Sequence, residues 1–347
     1  MDTKQWVVDK GMKDLEHYPQ IKEASELLKQ NEVVAFPTET VYGLGANATS
    51  DDAVNKIYKA KGRPSDNPLI VHISQKEQLN EIAQDISQLA NKLIDTFWPG
   101  PLTLVLKKKE NAVSERVTAG LDTVAVRMPD HPIALALITT SGLPLAAPSA
   151  NLSGKPSPTH ARHVTHDLTG KIAGIIDGGA TGVGLESTVL DCSGDVPVIL
   201  RPGGVTKEQL EEVCGRVEID QALIKEGQAP KSPGMKYTHY APKAPLIIVN
   251  GSKEYIQTLV QEKQEQGKRV GVLTTSESKN EYQADKVIAC GSRQDLVTVA
   301  NQLYDVLRSF DESNIEIIFS ESFPNEGIGQ AIMNRLTKAA GHQIIKE

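Results

Sequence analysis

Short apolar runs alternating with stretches of helical period constrain this chain more than any other feature, because such elements must bury their apolar faces against one another in layers. Residues 21–30 carry apolar side chains at helical spacing and lead into the strand-like VVAF at 33–36. A helix capped by Asp51 or Asp52 follows, with Val54, Ile57 and Tyr58 on one side, until Gly62 and Pro64 stop it. LIVHI at 69–73 is the next strand. The pattern predicts further strands at 102–106, 123–127, 145–147, 173–176, 188–190 and 197–200, and helices near 76–97, 131–140 and 206–213.

This mixture predicts an α/β domain over 11–214, built on an open, mixed, twisted sheet with helices. At 215–244 the periodicity lapses into a proline-rich linker that carries Tyr237, His239 and Tyr240. From 245 to 347, strands at 246–249, 269–273, 286–289 and 315–319 alternate with helices, the last two near 293–309 and 328–340. That order predicts a smaller Rossmann-like parallel α/β domain. A chain of 347 residues is long enough for two cores.

The formal charge of −7 disfavours a protein that coats nucleic acid by bulk electrostatics, so basic groups must act by placement. Cys192, Cys214 and Cys290 form no CxxC pair, which disfavours a disulfide framework or a cysteine zinc site and suits a reducing cytosol. No signal-peptide core and no apolar run of about 18 residues is present. The expectation is a cytoplasmic protein without a membrane anchor.

Nucleotide enzymes often carry GxxxxGK[ST], but none of the Gly-Lys pairs here has the required flanking residues, and Gly182-Val183-Gly184 lacks the third glycine of a dinucleotide fingerprint. Instead, polar clusters recur where strands or helices give way to loops, the usual place for ligand-binding groups. They are PTETVYGLG at 37–45, KGRPSDNP at 61–68, His72, Arg127, PSANLSG at 148–154, EST at 186–188 and RPGG at 201–204. Lys61, Arg63, Arg127 and Arg201 with several hydroxyls form an inventory for a polyphosphate plus a carboxylate. No strong nucleophile or metal triad stands among them, which points to catalysis by positioning and charge stabilisation.

These motifs, in this order, resemble the YrdC-type threonylcarbamoyl-AMP synthases, and the linker with its following domain resembles their two-domain form. The resemblance implies synthesis of threonylcarbamoyl-AMP and pyrophosphate from ATP, L-threonine and bicarbonate or CO2, with Mg²⁺ accompanying ATP. It also implies a downstream tRNA threonylcarbamoyl transfer machinery acting on adenosine 37 of tRNAs reading ANN codons, and it leaves room for weak RNA contact. By resemblance, Lys61 and Arg63 are the catalytic basic pair at the phosphates. Ser65, Asn67, Thr123, Ser149, Asn151, Ser157 and Arg201 are nucleotide-side residues, joined by Tyr237, His239 and Tyr240 as a cover. Thr38, His72, Arg127 and Ser187 surround threonine, Arg127 taking its carboxylate. No protein-held metal is expected.

Several of these residues have a plainer reading. Lys61 suits a helix C-terminus whatever its function, Arg127 and Arg201 can be paired charges at strand ends, and His72 can be a satisfied core histidine. Thr38, Thr40, Ser149, Asn151 and Ser153 can simply shape turns. His160, His163 and His166 read better as a solvated helix face than as metal ligands, and the cysteines as inert thiols. An RNA-binding module and a hydrogenase-maturation carbamoyltransferase are the competing functions. The acidic balance weighs against the first, and the missing cysteine zinc-finger segments weigh against the second.

Overall fold

A computed structural model describes residues 2–220 and 239–347, which fall into two compact units. The first comprises residues 2–153, 158–182 and 186–220, the second 154–157, 183–185 and 239–347. Tyr237 lies outside the described residues.

Among the described residues, the first unit forms an eleven-stranded sheet. Its strands are β1 (Lys4–Val7), β2 (Val34–Phe36), β3 (Gly43–Asn47), β4 (Ile70–His72), β5 (Leu102–Lys107), β6 (Thr123–Arg127), β7 (Leu145–Ala146), β8 (Gly174–Asp177), β9 (Thr188–Asp191), β10 (Val198–Arg201) and β11 (Glu218–Ile219). They are ordered β1-β8-β2-β3-β7-β4-β6-β5-β9-β10-β11. Pairing is parallel in β4/β6 and β5/β9 and antiparallel in β3/β7 and β5/β6, the mixed sheet expected from sequence. The unit starts before residue 11 and runs past 214, because β1 pairs with β8 and β11 with β10.

Alternation along the strands separates two faces. Leu44, Ala46, Val71, Val124, Val126, Leu104 and Leu190 join one large core with Val54 and Ile57 of the helix Asp51–Lys61. On the other face, Val34, Phe36, Leu145 and Ala147 pack with Ile21, Leu28, Ile133 and Leu137 from the helices Pro19–Lys29 and Pro132–Ser141. Further along that face the apolar part shrinks to Ile70, Val105, Ala125, Val189 and Leu200.

Three local expectations need correction. The helix expected near 76–97 is broken into the turns Lys76–Gln78 and Leu79–Ile82 and a helix Gln88–Phe97, because Asp85 takes a left-handed φ of 54° and Ser87 caps a new helix through Ala90 N. β3, whose sequence GLGAN lacks β-branched residues, is a strand nonetheless, and its glycines have a packing reason. A Cβ on Gly45 would lie 2.7 Å from the buried Phe36 ring. The helix Ala161–Leu168 holds His163 buried rather than solvated, and His163 Nδ1 accepts from Thr159 N at 3.2 Å.

In the second unit, strands Leu246–Asn250, Val270–Thr274, Lys286–Ala289, Ile317–Glu321 and Ile344–Lys346 form an all-parallel sheet, as expected for a Rossmann-like domain. The unit also takes in 154–157 and 183–185, which no sequence pattern assigns to it. Gly184, at φ 82°, meets the backbone of Asn301 so closely that a Cβ would lie 2.4 Å from it. Pro156 O accepts from Arg308 Nε and Nη2 at 3.1 and 2.6 Å. Among the described residues no helix is long and apolar enough to cross a membrane.

Gly45→Ala should overpack Phe36 and destabilise the first unit by about 1–3 kcal/mol, read as a lower urea midpoint for the transition of that unit. An unchanged midpoint would contradict this packing.

Candidate active site

The last residue of the helix Asp51–Lys61 is a buried lysine. Gly62, left-handed at φ 60°, ends the helix with Gly62 N on Lys59 O at 3.3 Å and Arg63 N on Tyr58 O at 3.1 Å. Lys61 Nζ donates to Ser149 O, to Asn151 O at 2.7 Å and to Asn151 Oδ1 at 3.3 Å, and Ser153 N donates to Lys61 O at 2.9 Å. Lys61 therefore clamps the PSANLSG loop rather than standing free at its edge. The same loop is stitched to PTETVYGLG by Leu44 N to Pro148 O at 2.7 Å and Ala150 N to Tyr42 O at 2.8 Å.

Arg63 Nη2 donates to Asn67 O at 3.2 Å, closing the 63–67 loop over a buried Asn67, while Ser65 is exposed. Thr123 opens β6 two residues before Ala125, which is the register partner of Ile70. Asn67 and Pro68 precede Ile70 on the neighbouring strand, so Thr123 shares a sheet edge with the 63–68 loop. Ser149 belongs to that edge through its bridge with Gly43.

Register puts most of the remaining candidates on one face. His72 pairs with Arg127 and with Leu145, and Arg201 pairs with Val189, which pairs with Thr103. With side chains alternating along each strand, Thr123, Arg127, His72 and Thr103 project from the face that carries Ile70, Val105, Ala125 and Val189, and Arg201 joins them through its pairing with Val189, after a register shift that follows Ile199. A small apolar floor thus has a polar surround. From Thr123 to Arg127 it spans roughly 13 Å.

Arg127 is 4% exposed, and Arg201 is 5% exposed. Arg127 donates from Nη1 to Thr40 Oγ1 at 2.8 Å and from Nη2 to Glu39 Oε2. Thr40 Oγ1 is 2.8 Å from Thr38 Oγ1, and Thr38 Oγ1 donates to Val41 O at 2.6 Å. A carboxylate and a hydroxyl of the protein thus use one hydrogen on each terminal nitrogen, and Nε and the second hydrogen of each terminal nitrogen are not engaged by them.

Arg201 donates from Nε and Nη2 to Ser187 O at 3.1 and 3.0 Å and from Nη2 to Ser187 Oγ at 3.2 Å. Ser187 Oγ lies 2.7 Å from Thr103 Oγ1. Arg201 and Ser187, expected on the nucleotide and threonine sides, are thus in direct contact. Gly203 makes this possible, because a Cβ there would stand 2.4 Å from Glu186 O and from Thr188 N.

His72 Nδ1 is 3.2 Å from Ile70 O, and its ring meets Phe36 edge-on at 6.3 Å. Burial first, then the Arg127 charge, hold its pKa down to about 3, so it works neutral. In the second unit Tyr240 is buried, with Tyr304 at 5.2 Å between ring centroids and Arg335 Cζ 5.8 Å from its ring. Its ring belongs to that unit's core. His239 lies beside it at 5.6 Å, and Ser157 also groups with the second unit. The Cys192 thiol is pushed up to about 12 by burial, as suits an inert group. Glu39, Thr40 and Thr103 carry contacts that the motif reading left unassigned. A period-2 count along LTLVL would have put Thr103 on the Arg127 face.

Because the folded pKa of His72 lies below the ordinary value near 6.5, its neutral form stabilises the fold fully above that pH and the stabilisation falls as pH drops towards 3. His131, held at about 4 mainly by burial, behaves likewise. Between pH 6.5 and 4, His72→Gln should lose less stability than wild type, by roughly 1 kcal/mol per pH unit. Parallel urea-midpoint curves for the two proteins would contradict the buried neutral histidine.

Residues 26–203 match the family model described as telomere recombination, and residues 205–341 match that of the threonylcarbamoyl-AMP synthase C-terminal domain. The chain is 62% identical over 346 residues to the threonylcarbamoyl-AMP synthase of Bacillus subtilis, covering 100% of each. It is 49% identical over 331 residues to that of Pyrococcus abyssi, covering 94% of this chain and 95% of the relative. The structure of Pyrococcus abyssi Sua5 complexed with L-threonine superposes with a TM-score of 0.93 at 48% identity, over 99% of this chain and 100% of that one. On the strength of full-length similarity in both sequence and fold, this chain belongs to the threonylcarbamoyl-AMP synthase family of enzymes.

Proposed function

We propose that the protein joins L-threonine, bicarbonate or CO2, and ATP into threonylcarbamoyl-AMP with release of pyrophosphate. The product then passes to a tRNA threonylcarbamoyl transfer machinery that modifies adenosine 37 of tRNAs reading ANN codons, in the cytoplasm. The observation that supports this most is the single sheet face bounded at one edge by the loops around Lys61 and Arg63, and at the other by Arg127, Ser187 and Arg201. Two charged substrates laid across such a face have cations at both ends. The L-threonine complex of the Pyrococcus abyssi relative favours threonine as the amino acid.

In the proposed reaction the threonine amine adds to CO2 and loses a proton, giving a carbamate. A carbamate oxygen then forms a bond to the α-phosphorus as the bond to the bridging oxygen of the β-phosphate breaks, and pyrophosphate leaves. Lys61 and Arg63 offset charge building on the leaving group. Lys61 does so from a fixed place, because three loop oxygens hold its ammonium before any ligand enters. Arg127 takes the threonine carboxylate through N–H groups that Glu39 and Thr40 leave unused. Neutral His72 can orient a hydroxyl or carboxylate without adding charge.

Among the described residues, Glu39, Asp66 and Glu186 belong to no trio of ligand atoms close enough to hold a metal ion. The Mg²⁺ ion is better accommodated as the complex it forms with ATP's own phosphates, where it supplies charge neutralisation.

Purified protein with Mg²⁺ and ATP should release pyrophosphate only when L-threonine and bicarbonate are both supplied. Lys61→Ala and Arg63→Ala should each lower that rate by about a hundredfold or more, with circular dichroism showing a retained fold. Release that persists without threonine, or no release from the wild type, would contradict the proposal.

A further inference from the structure

We infer that Glu39 is the specificity-determining acceptor for the α-amine of the substrate, paired with Arg127 so that the two side chains together match a zwitterion. The inference rests on the reading of Arg127 as the carboxylate holder.

Glu39 sits between two buried threonines in the turn after β2, and its backbone is fixed where Glu39 O accepts from Gly182 N at 3.1 Å. Its Oε2 accepts from Arg127 Nη2, and Thr40 Oγ1 accepts from Nη1 at 2.8 Å. Both partners of this ion pair are largely out of water, with side-chain exposures of 4% for Arg127 and 12% for Glu39. Yet the pair is not self-sufficient. Glu39 Oε1 and Arg127 Nε are both buried without a hydrogen-bond partner among the described residues.

Buried polar atoms left in this state are uncommon, and each costs its desolvation in full. Here one is an acceptor of negative charge and the other a donor of positive charge, on side chains locked to each other. An amino acid presents the complementary set on adjacent atoms, an ammonium next to a carboxylate. A pair serving the fold alone would need only the Oε2 to Nη2 contact and would gain nothing from dehydrating the second carboxylate oxygen. A 2-hydroxy acid fits Arg127 equally well but brings no cation to Glu39, so the carboxylate discriminates by charge.

The test uses the full chain as wild type, Glu39→Gln and Glu39→Asp. Calorimetry compares L-threonine with 2,3-dihydroxybutanoate, which has a hydroxyl in place of the amine, and pyrophosphate release gives KM for threonine and for ATP. Wild type should prefer threonine by about tenfold or more. Glu39→Gln should lose most of that preference and raise the threonine KM by about tenfold or more, with the ATP KM unchanged within about twofold. Glu39→Asp should fall between them. Equal wild-type affinity for the two acids would overturn the inference, and this readout needs no variant to fold. Retention of the preference in Glu39→Gln, or a parallel loss of threonine and ATP binding, would overturn it too. A wild type inactive with all substrates present would overturn the functional reading instead, whereas an active wild type with no amine preference would overturn only the role of Glu39.

Discussion

The ammonium group of Lys61 is taken out of water at the end of a helix, and its hydrogens go to Ser149 O, Asn151 O and Asn151 Oδ1. A buried charge is tolerated only when it is hydrogen-bonded. The loop that supplies those oxygens must therefore be where it is for the helix to end as it does. Gly62 sets the position by turning left-handed one residue later. The loop passes the constraint to PTETVYGLG through Leu44 N and Ala150 N. Three stretches of sequence thus become one piece of structure before any ligand is considered.

The second organising constraint is the two-residue period of a strand. The same alternation that sends Val71, Val126, Leu104 and Leu190 into the large core sends His72, Arg127 and Thr103 to the opposite face. Helices cover part of that face near β2 and β7. Towards β5, β6 and β9 its apolar part is reduced to a few side chains, and polar groups take over. A shift of one residue in β6 would send Arg127 into the core.

Much of this was legible in the sequence. Apolar runs located most strands, Gly62 and Pro64 marked the helix stop, and the ordered motifs identified the family. β3 was hidden because Gly43 and Gly45 make room for Phe36, a reason that exists only once β2 and β3 pair. The broken helix near 76–97 was hidden because its apolar period continues across Asp85 and Ser87. Within the site, residue types pointed to ligands while pairing partners stayed invisible. Glu39 on Arg127, and Ser187 on Arg201, join residues far apart in the chain. Tyr240 lies in a linker-like stretch of sequence, which says nothing of its neighbours Tyr304 and Arg335.

Under the proposed function, this sheet face joins threonine, a one-carbon unit and AMP. Mass spectrometry of the products formed from ATP, L-threonine and ¹³C-bicarbonate tests it most directly. The expected product is threonylcarbamoyl-AMP carrying the label in its carbamoyl carbon, with pyrophosphate in equal amount. An adenylate of threonine without the labelled carbon, or pyrophosphate unaccompanied by any threonine-containing nucleotide, would contradict it.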